Sequence, residues 1–325
     1  VTGRDRGLGI GGQGATSRSR QRGVALIIVL GLVALIGAWA STAAYEDMVA
    51  LRRAENMQDA MRAMQASQSA FALGRQVLRQ DARDNAQRDD MDEAWAMETP
   101  PFPVDEGMVL ARISDANRYY NLNDLVNDQG VVQAREIAIV KRLFTLLEID
   151  SGLVDALADW MDADDSPYGS AGAEDIAYYE RQYRVKNARL DRWDELRLIK
   201  GFDAKVITKL ANVATVRQPP TGTSTKININ TAPAPVLMAL FRQMTDVDAE
   251  TIISARPYDS PSIATMNQPW AGSGDMSRLS VTSDAFMVRT EARFGRAVMQ
   301  EEYVLRRQLE KLTLLSRERL LTGLP

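Results

Sequence analysis

This 325-residue chain contains neither cysteine nor histidine. Without cysteine there is no disulfide and no thiolate metal site; without histidine there is no imidazole base and no usual zinc ligand. No nucleophile–base pair or phosphate loop is visible, and the glycine-rich Gly9-Ile-Gly11-Gly12 has no strand before it. Excess positive charge is lacking too. Of 39 basic and 43 acidic residues, positions 1–23 take five arginines and one aspartate, leaving a net charge of −8 from Val24 onward. That balance disfavours nucleic acid, whose binding rests on phosphate neutralisation. Hydrophobic residues make up 45% of the chain and charged ones 25%, enough to bury a core over about two domains.

One long uncharged run is present. Arg18, Arg20 and Arg22 lead through Gly23 into Val24–Ala44, 21 residues without a charge. At roughly 1.5 Å per helical residue this run matches the roughly 30 Å hydrocarbon core of a bilayer. The arginines before it, with no basic residue after it until Arg52, predict a cytoplasmic N-terminus and a single pass, with lipid contact through 24–44. Two other readings fit the same run: a secretory signal peptide cut near Ala40 or Ala44, and a signal anchor that is never processed.

Tyr45–Gln80 has no proline and one glycine, Gly74, and is rich in Ala, Met, Gln, Arg and Leu, so a helix is predicted to continue from Val24 to about Gln80. Its Met57, Met61, Met64 and Ala72, with Phe71 and Leu78 nearby, predict a face packed into a core. Residues 81–107 are acidic and end in Pro100-Pro101-Phe102-Pro103, expected to stop the helix. Strands are expected at 108–113, 118–123, 285–293, 297–305 and 312–315, with a hairpin turn at Phe294-Gly295-Arg296. Helical spacing marks 137–147, 153–161 and 206–213. The expected architecture is α+β: a long N-terminal helix, an antiparallel sheet and an inserted helical domain.

The segments Gln21-Arg22-Gly23-Val24-Ala-Leu26, Tyr120-Asn-Leu-Asn123, Ala158-Asp-Trp-Met-Asp-Ala-Asp-Asp165 with Gly172-Ala-Glu-Asp175, and Ile227-Asn-Ile-Asn-Thr-Ala-Pro233 carry a family resemblance in their order and spacing. The chain resembles the K-class minor pseudopilins of bacterial type II secretion systems from about Gln21 to the last strand. The resemblance implies a cytoplasmic leader 1–23, a cut by prepilin peptidase between Gly23 and Val24 with methylation, and a transmembrane and spine helix over 24–80. It implies a pseudopilin sheet domain from 81–123 and 218–325 with a helical insert at 124–217. Further implications are an inner-membrane location with a periplasmic globular part, assembly with I-class and J-class minor pseudopilins at the fibre tip, and contact with the inner-membrane secretion platform.

Ordinary pilins carry Glu at the fifth mature position; counting from Val24, this chain has Ile28. A subunit with nothing above it would leave such a carboxylate unpaired in low dielectric, at a cost of several kcal/mol. The acidic loop offers hard oxygen ligands in Asp162, Asp164, Asp165, Glu174 and Asp175, although it is no EF-hand. Such acids can equally be a solvated turn or helix caps. The resemblance implies structural Ca²⁺ here.

The other function class is a membrane-anchored DNA receptor of the competence type, because Glu195–Phe202 and Ile227–Leu237 look like helix-hairpin-helix segments. The second hairpin, Met244-Thr-Asp246-Val-Asp248, has acids and no glycine where phosphate would approach. An assembly subunit without catalysis or nucleic-acid binding is the expected function.

Overall fold

The computed structural model describes residues 1–3, 17–85 and 87–320; most of the expected leader, residues 4–16, lies outside them. The chain divides into two compact units, Val1–Met61 and Arg62–Pro325. Helix α1, Ser17–Asp84, starts before the expected Val24 and ends after the expected Gln80. In the first unit it is long and apolar enough to cross a bilayer. Ile28 is 62% exposed there, as are its apolar neighbours.

In the second unit the buried stripe of α1 is Ala63, Ser67, Ala70, Gly74, Leu78 and Asp81, spaced at the helical period. Small residues dominate because the sheet comes close. A Cβ on Gly74 would lie 3.1 Å from Val288 Cγ1, and Phe71 stacks on Tyr303 with ring centroids 3.8 Å apart. Ser67 sits 2.7 Å from both Thr290 Oγ1 and Glu301 Oε2. The expected face is corrected in part: Phe71 and Leu78 pack into the core as expected, but Met57 and Met61 are 68% and 54% exposed. Methionine reads as core by hydrophobicity, but this contact selects for close approach instead.

After α1 come β1 (Phe102–Val104), β2 (Gly107–Asp115) and the two-residue β3 (Tyr120–Asn121). A helical body follows: α2 (Ala134–Leu146), α3 (Leu153–Met161), α4 (Asp175–Tyr178), α5 (Ala204–Leu210), β4 (Ala214–Thr215), β5 (Ile227–Asn228), α6 (Ala234–Leu240), α7 (Asp246–Ser254), α8 (Pro261–Thr265) and β6 (Leu279–Ser280). The chain returns as β7 (Ala285–Phe294), β8 (Ala297–Gln308) and β9 (Lys311–Arg319). The main sheet is antiparallel in the order β1-β2-β7-β8-β9. Phe294 pairs with Ala297 across the β7–β8 turn, where Gly295 takes φ +51°, as a tight hairpin requires.

Everything from Ala116 to Asp284 is therefore inserted between neighbouring strands β2 and β7. The expected insert boundary at 217 moves. Val236, Leu237, Leu240, Phe241 and Trp270 share one core with Tyr120, Phe144, Leu157 and Trp160, whereas Leu78, Phe286, Val288, Tyr303 and Leu305 form a separate core under the sheet. Residues 218–284 join the helical body because α6 packs on α2 and their apolar side chains enter the same core. Two further expectations change. The helix stops at Asp84, well before the prolines, which lead into the edge strand β1 and suit an edge that needs no full ladder of donors. The expected strand 118–123 shrinks to β3, which pairs in parallel with β4 outside the main sheet.

The asparagine motifs stitch these parts together. Asn121 Nδ2 donates to Arg217 O and Thr225 Oγ1, and Asn123 Nδ2 to Leu190 O. Asn228 Nδ2 reaches Asp89 O, Asp115 Oδ2 and Ser283 Oγ. Each buried amide satisfies backbone and side-chain groups far away in sequence, which buried polar atoms require. Arg278 completes the body, reaching Asp124 at 2.9 Å and pairing with Glu136, all three buried.

Candidate metal centre

Helix α3 carries its acidic face into the loop that follows. Its apolar face, Val154, Leu157, Ala158 and Met161, is buried in the helical core, and this fixes the direction in which Asp155, Asp159 and Asp162 point. Asp159 organises the loop: Oδ1 accepts from Tyr168 N–H at 2.7 Å and Oδ2 from Ala173 N–H at 2.5 Å. The chain passes so close that a Cβ on Gly172 would sit 2.5 Å from Asp159 Oδ2 and 2.7 Å from Tyr168 O. Only glycine fits there.

This turn brings Glu174 back to α3. One oxygen each from Asp159, Asp162 and Glu174 lie within 4.8 Å of one another, and all three residues are buried. Asp162 Oδ1 and both oxygens of Glu174 are buried without any hydrogen-bond partner. The donors are all hard carboxylate oxygens, the set Ca²⁺ takes and soft-ligand metals do not favour. Buried oxygens of one charge with nothing to bind fit a cation. Burial first, then the charges of Asp164 and Asp159, pushes Asp162 up to about 7. Glu174 is pushed up to about 7 by burial and then by Asp159, Asp162, Asp165 and Asp164.

The expected ligands separate into two groups. Asp162 and Glu174 come together, joined by Asp159, which is absent from the expected set. Asp164 and Asp165 stay exposed at the rim: Asp164 accepts from Ser166 N–H at 2.8 Å, and Asp165 from Asn187 Nδ2 at 3.4 Å. Asp175 accepts from Val185 N–H at 3.1 Å and lies 3.6 Å from Arg184. The helix-cap reading fails for Glu174, which occupies the N-cap position of α4 but makes no cap bond. The signal that finds Asp159 is its place on the same helical face as Asp155 and Asp162.

A second carboxylate group, Asp81, Asp89 and Glu93, is different because a cation already fills it. Arg307 Nη1 reaches Asp81 at 2.7 Å, its Nη2 pairs with Asp89, and Trp95 Nε1 donates to Glu93 at 2.6 Å. The hairpin segments also have structural work. A Cβ on Gly201 would lie 2.3 Å from Leu153 Cδ2, and Asp248 closes a capping box with Thr245 at the start of α7. At the second hairpin Asp246 and Asp248 also place two carboxylates in the first turn of α7, where phosphate would have to approach.

Two family models, each described as type II secretion system (T2SS), protein K, match residues 118–219 and 227–289. A Pseudomonas aeruginosa type II secretion system protein K is 35% identical over 251 residues, covering 74% of this chain and 73% of that one. The Pectobacterium carotovorum protein of the same name is 30% identical over 326 residues, covering 93% and 97%. A chain of the GspK-GspI-GspJ complex from enterotoxigenic Escherichia coli superposes with a TM-score of 0.72 at 21% identity, covering 83% of this chain and all of that one. The fold with its inserted helical body and the two family matches define a type II secretion pseudopilin. This chain belongs to the type II secretion system protein K family.

Proposed function

We propose that the chain is the tip subunit of a short periplasmic pseudopilus, anchored in the inner membrane by Val24–Ala44 with its N-terminus cytoplasmic. Prepilin peptidase cuts it between Gly23 and Val24, and it assembles with I-class and J-class minor pseudopilins and the inner-membrane platform. The role is assembly and requires no catalysis. The observation that carries this reading is the insertion of Ala116–Asp284 between adjacent strands of the sheet. A body that large beside the sheet obstructs a covering neighbour in a helical fibre, and Ile28 removes the need for one. The solved relative named above is itself a complex of K with I and J, which favours those partners.

The loop of Asp159, Asp162 and Glu174 holds a structural Ca²⁺ in this reading, with Asp164 and Asp165 at the rim. The ion would neutralise the carboxylates and tie α3 to α4. Imaging of assembled fibres with a label on the helical body tests the tip role. Label at one end, one copy per fibre, with a mature N-terminus at Val24, is expected. Label along the shaft, or a mature start at Ser41 or Tyr45, would overturn it.

A further inference from the structure

The cleft between α2 and α6 concentrates positive charge, and two of its three cations meet no acid among the described residues. It has a volume of about 280 Å³, bounded by Lys141, Arg142 and Leu146 on α2 and by Met238, Arg242 and Met244 on or just after α6, at the small end of ligand clefts. Lys141 is committed to Asp155 at 2.7 Å. Arg142 is half-buried, and its Nε donates to Ala239 O at 2.9 Å. That bond caps the last turn of α6 and uses one donor of five. No ion pair among the described residues involves Arg142 or Arg242.

Helix capping is the ordinary reason for arginine at a helix end. It explains Arg142 Nε and leaves the rest of both guanidiniums unexplained. Burial, and then the charge of Arg242, lowers the pKa of Arg142, so the two guanidiniums repel one another. Buried Arg217, Arg278 and Arg307 each meet a carboxylate, as Arg142 and Arg242 do not. The chain as a whole is acidic, at −4, and still brings these two cations together beside Leu146, Met238 and Met244. A planar guanidinium fork selects carboxylate geometry, and methionine walls adapt to varied apolar side chains. Phosphate alone would leave those walls unused.

We infer that this cleft receives an acidic peptide segment of another protein, a side-chain carboxylate lying between Arg142 and Arg242 while an adjoining apolar side chain packs on Leu146, Met238 and Met244. Neither the metal loop nor the tip placement enters this inference, so it can fail or stand separately from them.

The test uses the full chain in detergent micelles and a fluorescent, N-acetylated Leu-Glu-Leu amide, with Leu-Gln-Leu amide and inorganic phosphate as comparison probes. Saturable binding of the Glu peptide, at least tenfold tighter than the Gln peptide, is expected. Partitioning into detergent would favour the uncharged peptide, the opposite sign. Exposed Arg242→Gln should weaken the Glu peptide about tenfold and Met238→Ser severalfold, while Lys205→Gln should leave it unchanged. Arg242 caps no helix, so its variant keeps the fold, which a melting curve verifies. Equal affinity for the two peptides, or no loss in Arg242→Gln, overturns the inference. Phosphate competing as well as the peptide shows a general anion site and overturns the peptide assignment.

Discussion

Asp162→Asn together with Glu174→Gln should change stability with opposite sign in chelator and in calcium. Without metal, the native state must hold ionised carboxylates where burial and neighbouring acids disfavour them. Raising one carboxyl from 3.8 to about 7 costs the native state on the order of 4 kcal/mol once that group is ionised. Glu174 faces the same acids, so the two share much of one penalty. Neutral amides remove it but carry a desolvation cost of about 1–3 kcal/mol for imperfectly bonded polar groups. The double variant should therefore be more stable than the parent in chelator at pH 8, by about 2 kcal/mol.

The pH dependence has a definite sign. In the unfolded chain these groups titrate near 3.8 and 4.5, in the native state near 7. Between about pH 4 and 7 the native state binds more protons, so the parent loses stability as pH rises through that window. The variant loses this contribution to the slope. Calcium at a hundredfold excess over its dissociation constant should add about 2.7 kcal/mol to the parent and nothing to the variant. The order of stability then reverses. Thermal melts of the full chain in detergent, at pH 5 and 8 with calcium or chelator, read this as shifts of about 2–4 °C per kcal/mol. A variant less stable than the parent in chelator at pH 8, or a parent whose melt ignores calcium, would refute the reasoning.

Two further outcomes follow from the core. Arg278→Met leaves Asp124 and Glu136 buried without their cation and should cost about 3–5 kcal/mol; a urea midpoint unchanged from the parent would contradict it, and Asp124→Asn in the same background should recover part of the loss. Gly74→Leu drives a side chain into Val288 and should cost about 1–3 kcal/mol, with partial relief from Val288→Ala; unchanged urea unfolding would show that the helix and sheet do not meet as closely as described.

The sheet was readable because β7 and β8 are long proline-free runs carrying Val, Tyr and Phe that turn at Gly295. Helix α3 was readable to the residue, Leu153–Met161, because every apolar position on it faces one core. The packing face of α1 was legible only at Phe71 and Leu78. Its contact with the sheet is built from Ala63, Ser67, Ala70 and Gly74, and small residues carry almost no hydrophobic signal, while the exposed methionines of the same helix carry a strong one. The boundary at 217 failed for a related reason. Short helices such as α6 and α8 have too few turns to display a period, and only their shared core with Phe144 and Trp160 assigns them.

The acidic loop separates what residue type reveals from what only the fold supplies. Asp162, Asp164, Asp165, Glu174 and Asp175 are equivalent as letters. Their fates diverge because Asp162 is the C-cap of α3 and turns inward with that helix, whereas Asp164 closes a local turn with Ser166 and faces water. Glu174 and Asp175 are adjacent, yet one lies buried with neither oxygen bonded and the other bonds Val185. Successive residues entering a helix point in different directions, so adjacency could not assign both to one ion. What selects Glu174 is the return of the chain past Asp159, and that return depends on Gly172 and on two backbone N–H groups. A ligand set of this kind becomes legible only when the loop's own hydrogen bonds are known, because those bonds decide which carboxylates remain without a partner.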